Sequence, residues 1–299
     1  MFKITAALFE PQRVETLWTR QHNIFLDILR TDLLHPVVSG NKWFKLKYHV
    51  EDAFAKHFDT ILTFGGCFSN HIVATAFACK QAGLKAIGII RGELESAQKA
   101  HTLQQALSYG MQLYFVTREQ FRDKEAIKKE FKNVYPVNEG GYGILGAKGA
   151  GEMLTGIADH QRYHHIVMAT GTGATMAGIV DRALPYQKIT GVSVMKNNRS
   201  LDSEMRALLS ESSVHKNYEI IHRYHFGGYA RKSEDLLLFM NEFYMETKVP
   251  TDFVYTAKAC YALKEMIVQG DIPGGSRVLF IHTGGLQGNL SLPKSKLIF

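Results

Sequence analysis

A regular alternation of short apolar runs and longer helical segments is the strongest constraint on how this chain folds. Runs rich in strand-forming residues occur at residues 60–64 (TILTF), 84–90 (LKAIGII) and 165–169 (HIVMA). The segment 71–82 that follows the first run is long enough for a helix and is closed by Gly83. This alternation predicts βαβ units, and therefore an α/β fold with mostly parallel sheets covered by helices.

The same alternation continues along the rest of the chain. We expect further strands at residues 113–116, 189–195 and 278–282, and helices at 96–109, at 120–132 and from Met176. Ligands of parallel sheets bind at the carboxyl ends of the strands. The loops in which chemistry is expected therefore follow Phe64, Ala169, Val254 and His282.

The positive charge of the chain is scattered and does not form a nucleic-acid-binding pattern. The 299 residues include 35 Lys and Arg against 28 Asp and Glu, a net charge of +7. The densest run, residues 124–132 (KEAIKKEFK), mixes both signs, as a solvated helix face does. We expect no nucleic-acid partner, and the length leaves room for two domains.

Cysteine and histidine usage argues against disulfides and metal sites. The three cysteines, Cys67, Cys79 and Cys260, are an odd number without a CxxC pair, and the histidines form no HExxH motif. Residues 1–9 do not form a signal peptide, and no apolar run reaches the roughly 20 residues that span a bilayer. We therefore expect a cytoplasmic protein with no metal and no membrane partner.

Two lysines stand three residues apart in the segment 39–49 (SGNKWFKLKYH). Lys42 and Lys45 then share one face of a helix. One interpretation is the charged start of an amphipathic helix. The other is that a desolvated Lys42 forms a Schiff base while Lys45 faces a phosphate.

Two glycine-rich loops each connect a predicted strand to a predicted helix. In residues 65–71 (GGCFSNH), free N–H groups at the helix start suit an anion or a carboxylate, although a plain turn capped by Ser69 or Asn70 is equally compatible. Residues 170–178 (TGTGATMAG) form a phosphate cradle. Met176 breaks the GxGxxG pattern and the Gly-Lys-Ser/Thr of a P-loop is missing, so a nucleotide site is not indicated.

Two late segments, residues 251–258 (TDFVYTAK) and 282–285 (HTGG), are weak signals when each is taken alone. Taken in order, however, GNKxxK, GGxxSNH, GTGxT, GGY, DxVYT and HTGG resemble pyridoxal-phosphate enzymes of the tryptophan-synthase-β-like fold (fold type II). More narrowly, the chain resembles the family of 1-aminocyclopropane-1-carboxylate deaminase and D-cysteine desulfhydrase, from about Leu29 to Gly285.

The resemblance implies a domain organisation, a cofactor and an assembly. Residues 1–45 and 151–299 would form a large cofactor-binding domain, and residues 46–150 a small inserted domain. The site would lie in the cleft between the two, where small-molecule sites often occur. The cofactor would be pyridoxal 5′-phosphate, the substrate a small amino acid, and the assembly a homodimer.

The resemblance also implies a role for individual residues. Lys42 would hold the cofactor as a Schiff base, with Lys45 directed at its phosphate. Further cofactor contacts would come from Asn70, Gly171, Thr172, Gly173, Ala174, Thr175, Thr256 and Thr283. The substrate would contact Ser69, Asn70, His71 and Tyr255, and the catalytic groups beside Lys42 would be Ser69, Tyr229 and Tyr255.

Three positions resemble the desulfhydrase branch more than the deaminase branch. Thr256 and Thr283 stand where deaminases of the family carry glutamate and leucine, and His71 stands where they carry glutamine. A threonine hydroxyl near the pyridine nitrogen supports a weaker electron sink than a carboxylate does. Elimination of thiolate requires a weaker electron sink than the opening of a cyclopropane ring does.

The resulting functional expectation is elimination and deamination of a D-cysteine-like amino acid to a 2-oxo acid and ammonia. The alternatives are deamination of 1-aminocyclopropane-1-carboxylate, racemisation of an amino acid, and a non-catalytic binding protein that keeps the fold. Tyr142, where relatives more often have serine, and Leu286 with Gln287 after HTGG depart from the family pattern. These departures predict a reshaped substrate pocket.

Overall fold

Two separate sheets organise the molecule. A computed structural model describes residues 9–35, 38–93 and 100–299. Within those residues, one sheet has six strands and the other has four. The strands are β1 (Gln12–Val14), β2 (Phe25–Arg30), β3 (Thr60–Gly66), β4 (Lys85–Arg91), β5 (Gln112–Val116), β6 (Tyr135–Val137), β7 (His165–Thr170), β8 (Lys188–Ser193), β9 (Tyr218–Ile221) and β10 (Arg277–His282).

Helices connect the strands and cover the sheets. They are α1 (Leu17–Gln21), α2 (Asn41–Ala55), α3 (Asn70–Ala82), α4 (His101–Ser108), α5 (Lys124–Glu130), α6 (Ile144–Thr155), α7 (Ala174–Arg182), α8 (Leu201–Arg206), α9 (Glu234–Thr247) and α10 (Thr256–Val268). Short 3-10 turns complete the connections. In the part of the chain that is described, no helix combines the length and apolar character needed to cross a membrane.

The two sheets are almost wholly parallel, as the alternation predicted. The larger sheet has the strand order β1-β2-β10-β7-β8-β9, and its one antiparallel pair is β1 with β2. The smaller sheet has the order β5-β4-β3-β6, with every pair parallel. Strands β3, β7 and β10 are central and nearly fully buried, in keeping with their continuous apolar sequences. The predicted fold class is therefore confirmed.

The predicted domain boundaries fall inside two helices. Helix α2 runs through the boundary at 45/46, and helix α6 runs through the boundary at 150/151. The two helices pack closely, since a Cβ atom built on Gly149 would lie 1.9 Å from the carbonyl oxygen of Phe44. The smaller sheet comes wholly from residues 60–137. The division of the chain into two domains stays a prediction.

Two predicted elements differ from the structure, and part of a third lies outside the described residues. Residues 251–254 form a turn rather than the strand implied before Tyr255, because the Asp252 carboxylate accepts backbone N–H groups and bends the chain into α10. The expected helix over 120–132 divides at Asp123, whose side chain caps α5 by accepting from the N–H of Ala126. Of the expected helix 96–109, residues 96–99 lie outside the described residues, and the remainder contains α4.

Candidate active site

The carboxyl ends of both sheets open onto one cavity of about 950 Å³, which we call the cleft. Its walls include the loops after β3, β7 and β10 and the first turn of α2. All four loops expected to carry chemistry, those after Phe64, Ala169, Val254 and His282, therefore meet in one place, since Tyr255 also lines the cleft. Their carboxyl-end position is the one at which parallel sheets bind ligands.

Lys42 lies at the wall of the cleft, in the first turn of α2. Its Nζ donates a hydrogen bond of 2.9 Å to Oδ1 of Asn41. Burial lowers the pKa of Lys42 to about 8, although the negative charge of Asp252 acts in the opposite direction. About a tenth of this amine is therefore unprotonated at pH 7, far more than for an ordinary lysine, and the unprotonated form is the nucleophile.

Lys45 lies one helical turn further along α2 and is 3% exposed. Its Nζ donates to the carbonyl oxygen of Gly140 at 3.2 Å. Burial, together with the positive charge of Lys42, lowers the pKa of Lys45 well below its usual value. An anion placed beside the two amines would relieve this repulsion, so the pair favours an anionic ligand.

The loop from Gly171 to Thr175 forms the predicted cradle at the start of α7. Gly173 adopts a left-handed backbone (φ +81°), and a Cβ atom there would lie 2.8 Å from Cβ of Met205, so only glycine fits. The hydroxyl of Thr172 is buried and has no hydrogen-bond partner among the described residues. Asn41 donates from Nδ2 to the hydroxyl of Thr175 at 2.8 Å, which links the cradle to the start of α2.

The turn after β3 brings Ser69 and Asn70 to the opposite wall. Ser69 precedes the first residue of α3, and its side chain makes no capping bond there. Asn70 reaches across the cleft, with Nδ2 3.4 Å from the position that a Cβ on Gly285 would occupy. Its Oδ1 is buried and unpartnered within the described part of the chain. The free hydroxyl and amide are available to a ligand.

His71 lines the cleft, and its buried ring bonds to the smaller sheet. It is 1% exposed, and Nε2 lies 2.8 Å from the hydroxyl of Thr63, which itself donates to the carbonyl of Val137. Nε2 therefore donates, and the ring is the neutral tautomer with a bare Nδ1. Burial and the charges of Lys42 and Lys45 lower the pKa of His71 well below its usual value. The predicted substrate contact of this ring stays a prediction.

Two tyrosines face each other at the mouth of the cleft. The hydroxyl of Tyr255 donates to that of Tyr229 at 3.2 Å, and the rings meet edge to face with centroids 5.9 Å apart. Burial raises the pKa of Tyr255 well above 10, and the neighbouring Tyr229 raises it further. Both hydroxyls are protonated at neutral pH and form a short chain along which a proton can move.

Asp252 is a buried carboxylate that the sequence interpretation quoted in DxVYT without giving it a role. It is 0% exposed. Oδ2 accepts from the N–H groups of Val254 (3.0 Å) and Tyr255 (2.9 Å), while Oδ1 accepts from the N–H (2.9 Å) and hydroxyl (2.7 Å) of Thr256. Burial raises its pKa, and these donors act in the opposite direction. Asp252 thereby fixes the turn that presents Tyr255.

Two of the expected cofactor contacts lie behind the wall rather than on it. Thr256 is fully buried, and its hydroxyl is engaged by Asp252, so its contact with a pyridine nitrogen stays a prediction. Ala174 is also fully buried, in the first turn of α7. Thr283 does line the cleft, and its carbonyl oxygen accepts from the N–H of Asn41 at 3.3 Å.

A third buried lysine was missed by the sequence interpretation. Lys258 of α10 is 0% exposed and donates to the carbonyl oxygens of His225 (2.9 Å) and Gly228 (2.7 Å). Burial lowers the pKa of Lys258 to about 8. Because Gly228 precedes Tyr229, this amine anchors the loop that carries the tyrosine. The available signal was a single charged residue, three positions after Tyr255, in the otherwise uncharged first half of α10.

The residues present fit a phosphorylated aldehyde. Lys42 supplies an amine of lowered pKa, and the cradle supplies the helix start, the orphaned Thr172 hydroxyl and the nearby Lys45 for an anionic arm. The unpartnered Asn70 amide oxygen offers a further polar contact. Among residues 9–35, 38–93 and 100–299, no group of three or more His, Cys, Asp or Glu side chains is arranged to hold a metal ion.

The chain is similar to known proteins over most of its length. The chain is 30% identical to the mitochondrial bifunctional D-cysteine desulfhydrase/1-aminocyclopropane-1-carboxylate deaminase of Arabidopsis thaliana, over 87% of this chain and 72% of that protein. It is 26% identical to the D-cysteine desulfhydrase of Klebsiella pneumoniae, over 86% of each. A crystal structure of an ACC deaminase homologue superposes with a TM-score of 0.79 at 26% identity, covering 97% of both chains.

The family profile described as pyridoxal-phosphate dependent enzyme matches residues 28–284. That range runs from β2 to the turn after β10 and contains Lys42, the cradle, Ser69 and both tyrosines of the cleft. The resemblance inferred from the ordered motifs is confirmed: the chain belongs to the family of pyridoxal-phosphate dependent enzymes.

Proposed function

We propose that this enzyme removes a β-substituent from a small amino acid of the D-cysteine type and releases a 2-oxo acid and ammonia. The observation that carries the proposal is the position of Lys42. Its amine has a lowered pKa and lies in one cleft with the anion cradle, Ser69 and the tyrosine pair. The names of the relatives from Arabidopsis thaliana and Klebsiella pneumoniae support the same reaction class.

The chain's own residues divide the work as follows. Bound pyridoxal phosphate supplies an electrophilic aldehyde and a ring that accepts electrons from the substrate's Cα. Ser69 and the N–H groups at the start of α3 bind the substrate carboxylate, which orients the Cα–H bond. Lys42 Nζ removes the Cα proton. Tyr255 and Tyr229 hold a proton ready for the departing group.

The atoms balance for cysteine as substrate. The Cα–H bond breaks with its proton going to Lys42, and the Cβ–S bond breaks with its electron pair leaving on sulfur. One water molecule then converts the released enamine to pyruvate and ammonia, and sulfur leaves as sulfide.

Deamination of 1-aminocyclopropane-1-carboxylate is the second candidate, because the relative from Arabidopsis thaliana carries both activities in its name. Against it stands Thr256, which occupies the position of the deaminase glutamate and whose hydroxyl bonds to Asp252. Racemisation would use the same Cα proton removal without loss of the β-substituent. The non-catalytic alternative is disfavoured because Lys42, Ser69 and both tyrosines line one cleft.

Product analysis of the purified holoenzyme tests the proposal. D-cysteine, L-cysteine and 1-aminocyclopropane-1-carboxylate are supplied separately, and sulfide, pyruvate, 2-oxobutanoate and the opposite enantiomer are quantified. We expect pyruvate and sulfide in equal amounts from cysteine. If 2-oxobutanoate is the sole product, the deaminase assignment replaces ours, and if only the opposite enantiomer forms, the racemase assignment does.

We further propose that the enzyme acts in the cytoplasm as a homodimer with the two-domain division 1–45 with 151–299, and 46–150. The absence of a spanning helix in the described residues is compatible with this location. Two-fold dimers are the commonest soluble assemblies. Light scattering of the purified protein gives the mass, and a value near 33.7 kDa would contradict the dimer.

A further inference from the structure

We propose that Arg91 makes the cleft selective for amino acids whose β-substituent carries a negative charge. The proposal rests on the function proposed above and adds the substrate class to it. Arg91 is the last residue of β4, so it stands at the carboxyl edge of the smaller sheet, beside the turn that leads to Ser69. No motif in the sequence interpretation included it.

The guanidinium of Arg91 lies over the floor of that turn. Its Nη2 is 3.7 Å from the position that a Cβ on Gly66 would occupy, and Gly66 pairs with Arg91 in the sheet. Its Cζ lies 5.2 Å from the centroid of the Phe121 ring, which is only 3% exposed. A cation over an aromatic face is attracted to it. Arg91 is therefore held at the cleft wall, which it helps to line.

The charges in the cleft leave Arg91 without a counter-ion. Bound cofactor would engage Lys42 through its aldehyde and Lys45 through its phosphate, and Lys124 is already paired with Glu139 at 3.2 Å. Arg118 also lines the cleft and adds a further positive charge to it. Within residues 9–35, 38–93 and 100–299, no carboxylate forms an ion pair with Arg91. An arginine at a ligand cavity with no anion beside it is a site for an anionic ligand group.

The position of Arg91 suits the side chain of a substrate rather than its α-carboxylate. Ser69 and the start of α3 already offer donors to the α-carboxylate, at the inner end of the turn. The charge of Arg91 also acts on the hydroxyl of Tyr229, on the other wall, where it lowers the pKa against the larger effect of burial. A β-substituent leaving Cα between these two walls comes within reach of the guanidinium.

The geometry of a guanidinium matches sulfinate, sulfonate and phosphate groups, to which it donates two parallel hydrogen bonds. Among the amino acids that can lose a β-substituent in this cleft, the preferred substrates are therefore those with an ionised group on Cβ. For O-phosphoserine, the Cα proton goes to Lys42, and the Cβ–O bond breaks with its electron pair leaving on phosphate. One water molecule converts the enamine to pyruvate and ammonia, so the products are pyruvate, ammonia and phosphate.

Paired substrates test the proposal in the holoenzyme. O-phosphoserine carries an anionic β-substituent and β-chloroalanine a neutral one, and both give pyruvate. Each is supplied as D and L forms to the wild type, Arg91→Gln, Arg91→Lys and Lys85→Gln. Lys85→Gln is the matched control because it removes one positive charge from the same strand. Lys85 is the first residue of β4 and pairs on the surface with Asp59 at 2.9 Å.

We expect the wild type to prefer O-phosphoserine over β-chloroalanine in kcat/KM. Arg91→Gln should lower kcat/KM for O-phosphoserine by about 10- to 100-fold, mainly through KM, as loss of hydrogen bonds to a charged group does. The same variant should change kcat/KM for β-chloroalanine by less than about threefold. Arg91→Lys should retain part of the preference, and Lys85→Gln all of it.

Each contrary outcome has a distinct meaning. Wild-type turnover of β-chloroalanine without turnover of O-phosphoserine overturns the charge selectivity but leaves the proposed function intact. An equal loss for both substrates in Arg91→Gln shows that Arg91 acts on the α-carboxylate or on the fold, which also overturns the proposal. If wild-type enzyme with bound cofactor yields pyruvate from neither substrate nor from cysteine, the proposed function itself fails.

Discussion

The two walls of the cleft are built in different ways. Behind the wall on the side of the six-stranded sheet lie buried groups held by several hydrogen bonds, such as the Asp252 carboxylate with four and Lys258 with two. The wall on the side of the smaller sheet presents Ser69, whose side chain caps nothing, and the exposed cation Arg91. The first side has more of its polar groups paired before any ligand arrives, although the Thr172 hydroxyl of the cradle is unpartnered there among the described residues.

This difference separates cofactor chemistry from substrate choice. A group that must present a proton or an amine in one geometry benefits from a fixed surrounding shell. A surface that recognises the variable part of a substrate needs exposed donors that a new ligand can pair. Burial on the side of the six-stranded sheet lowers the pKa of Lys42 and Lys258 to about 8. A guanidinium that binds an anion needs no lowered pKa, because it acts as a permanent cation.

Removing the amine of Lys42 is the largest perturbation of the fixed wall. We expect Lys42→Ala to lower kcat by at least about 10³-fold, since both cofactor attachment and Cα proton removal are lost. The visible absorbance of lysine-bound cofactor should disappear with it. Lys47→Ala is the control, because Lys47 lies on the same helix but does not line the cleft. Its Nζ instead pairs with the Glu152 carboxylate at 2.9 Å. If Lys42→Ala retains a tenth of the wild-type kcat, Lys42 is not the lysine that binds the cofactor and removes the Cα proton.

Releasing the loop that carries Tyr229 should have the next largest effect. Lys258→Met removes the two bonds to the carbonyls of His225 and Gly228, so we expect kcat to fall about 10- to 100-fold with less change in KM. Two buried carbonyls left unpaired cost about 2–3 kcal/mol of unfolding free energy. Lys264→Met on the same helix is the control.

The measurement that separates positioning from mere destabilisation is the pH profile of kcat at a temperature at which Lys258→Met is fully folded. If the Tyr229 loop acts on proton transfer, that profile shifts in Lys258→Met and remains unchanged in Lys264→Met. An unshifted profile together with wild-type kcat would show that the loop needs no such anchor.

The pH dependence of cofactor attachment sharpens the contrast further. Because burial lowers the pKa of Lys42 to about 8, its reactive unprotonated form increases as pH rises and saturates above that value. The rate at which visible absorbance grows after adding pyridoxal phosphate to the apoenzyme should increase about tenfold per pH unit below 7.5 and level off above 8.5. A rate still rising tenfold per unit at pH 10 would indicate a solvent-exposed amine instead.

The elements that the sequence predicted are those with their own periodic pattern. Strands β3, β4, β7 and β10 are continuous apolar runs, and α3 follows a glycine-rich turn, so each was found close to its observed bounds. The turn at residues 251–254 was taken for a strand end because its apolar residues carry no sign that Asp252 will gather N–H groups. That effect depends on where one carboxylate points, not on a repeating pattern.

The site was predictable to the extent that it consists of contiguous loops. Lys42, Ser69 and the cradle were identified because each belongs to a short motif with its own chemical meaning. Lys258 and Arg91 were not identified, because each contacts segments distant in sequence. Lys258 bonds to the carbonyls of residues 225 and 228, and Arg91 lies beside Gly66.

By itself, the sequence determined the alternation of strands and helices, the order of the glycine-rich loops and hence the cofactor class of this family. These properties follow from local periodicity and from residues that are neighbours in the chain. Only the tertiary structure decided how deeply the amine of Lys42 is buried, which hydroxyls stay unpaired and that Arg91 lines the cleft. Burial, charge proximity and hydrogen-bond satisfaction arise when segments distant in sequence are brought together, as are Lys42 of α2 and the Asp252 turn.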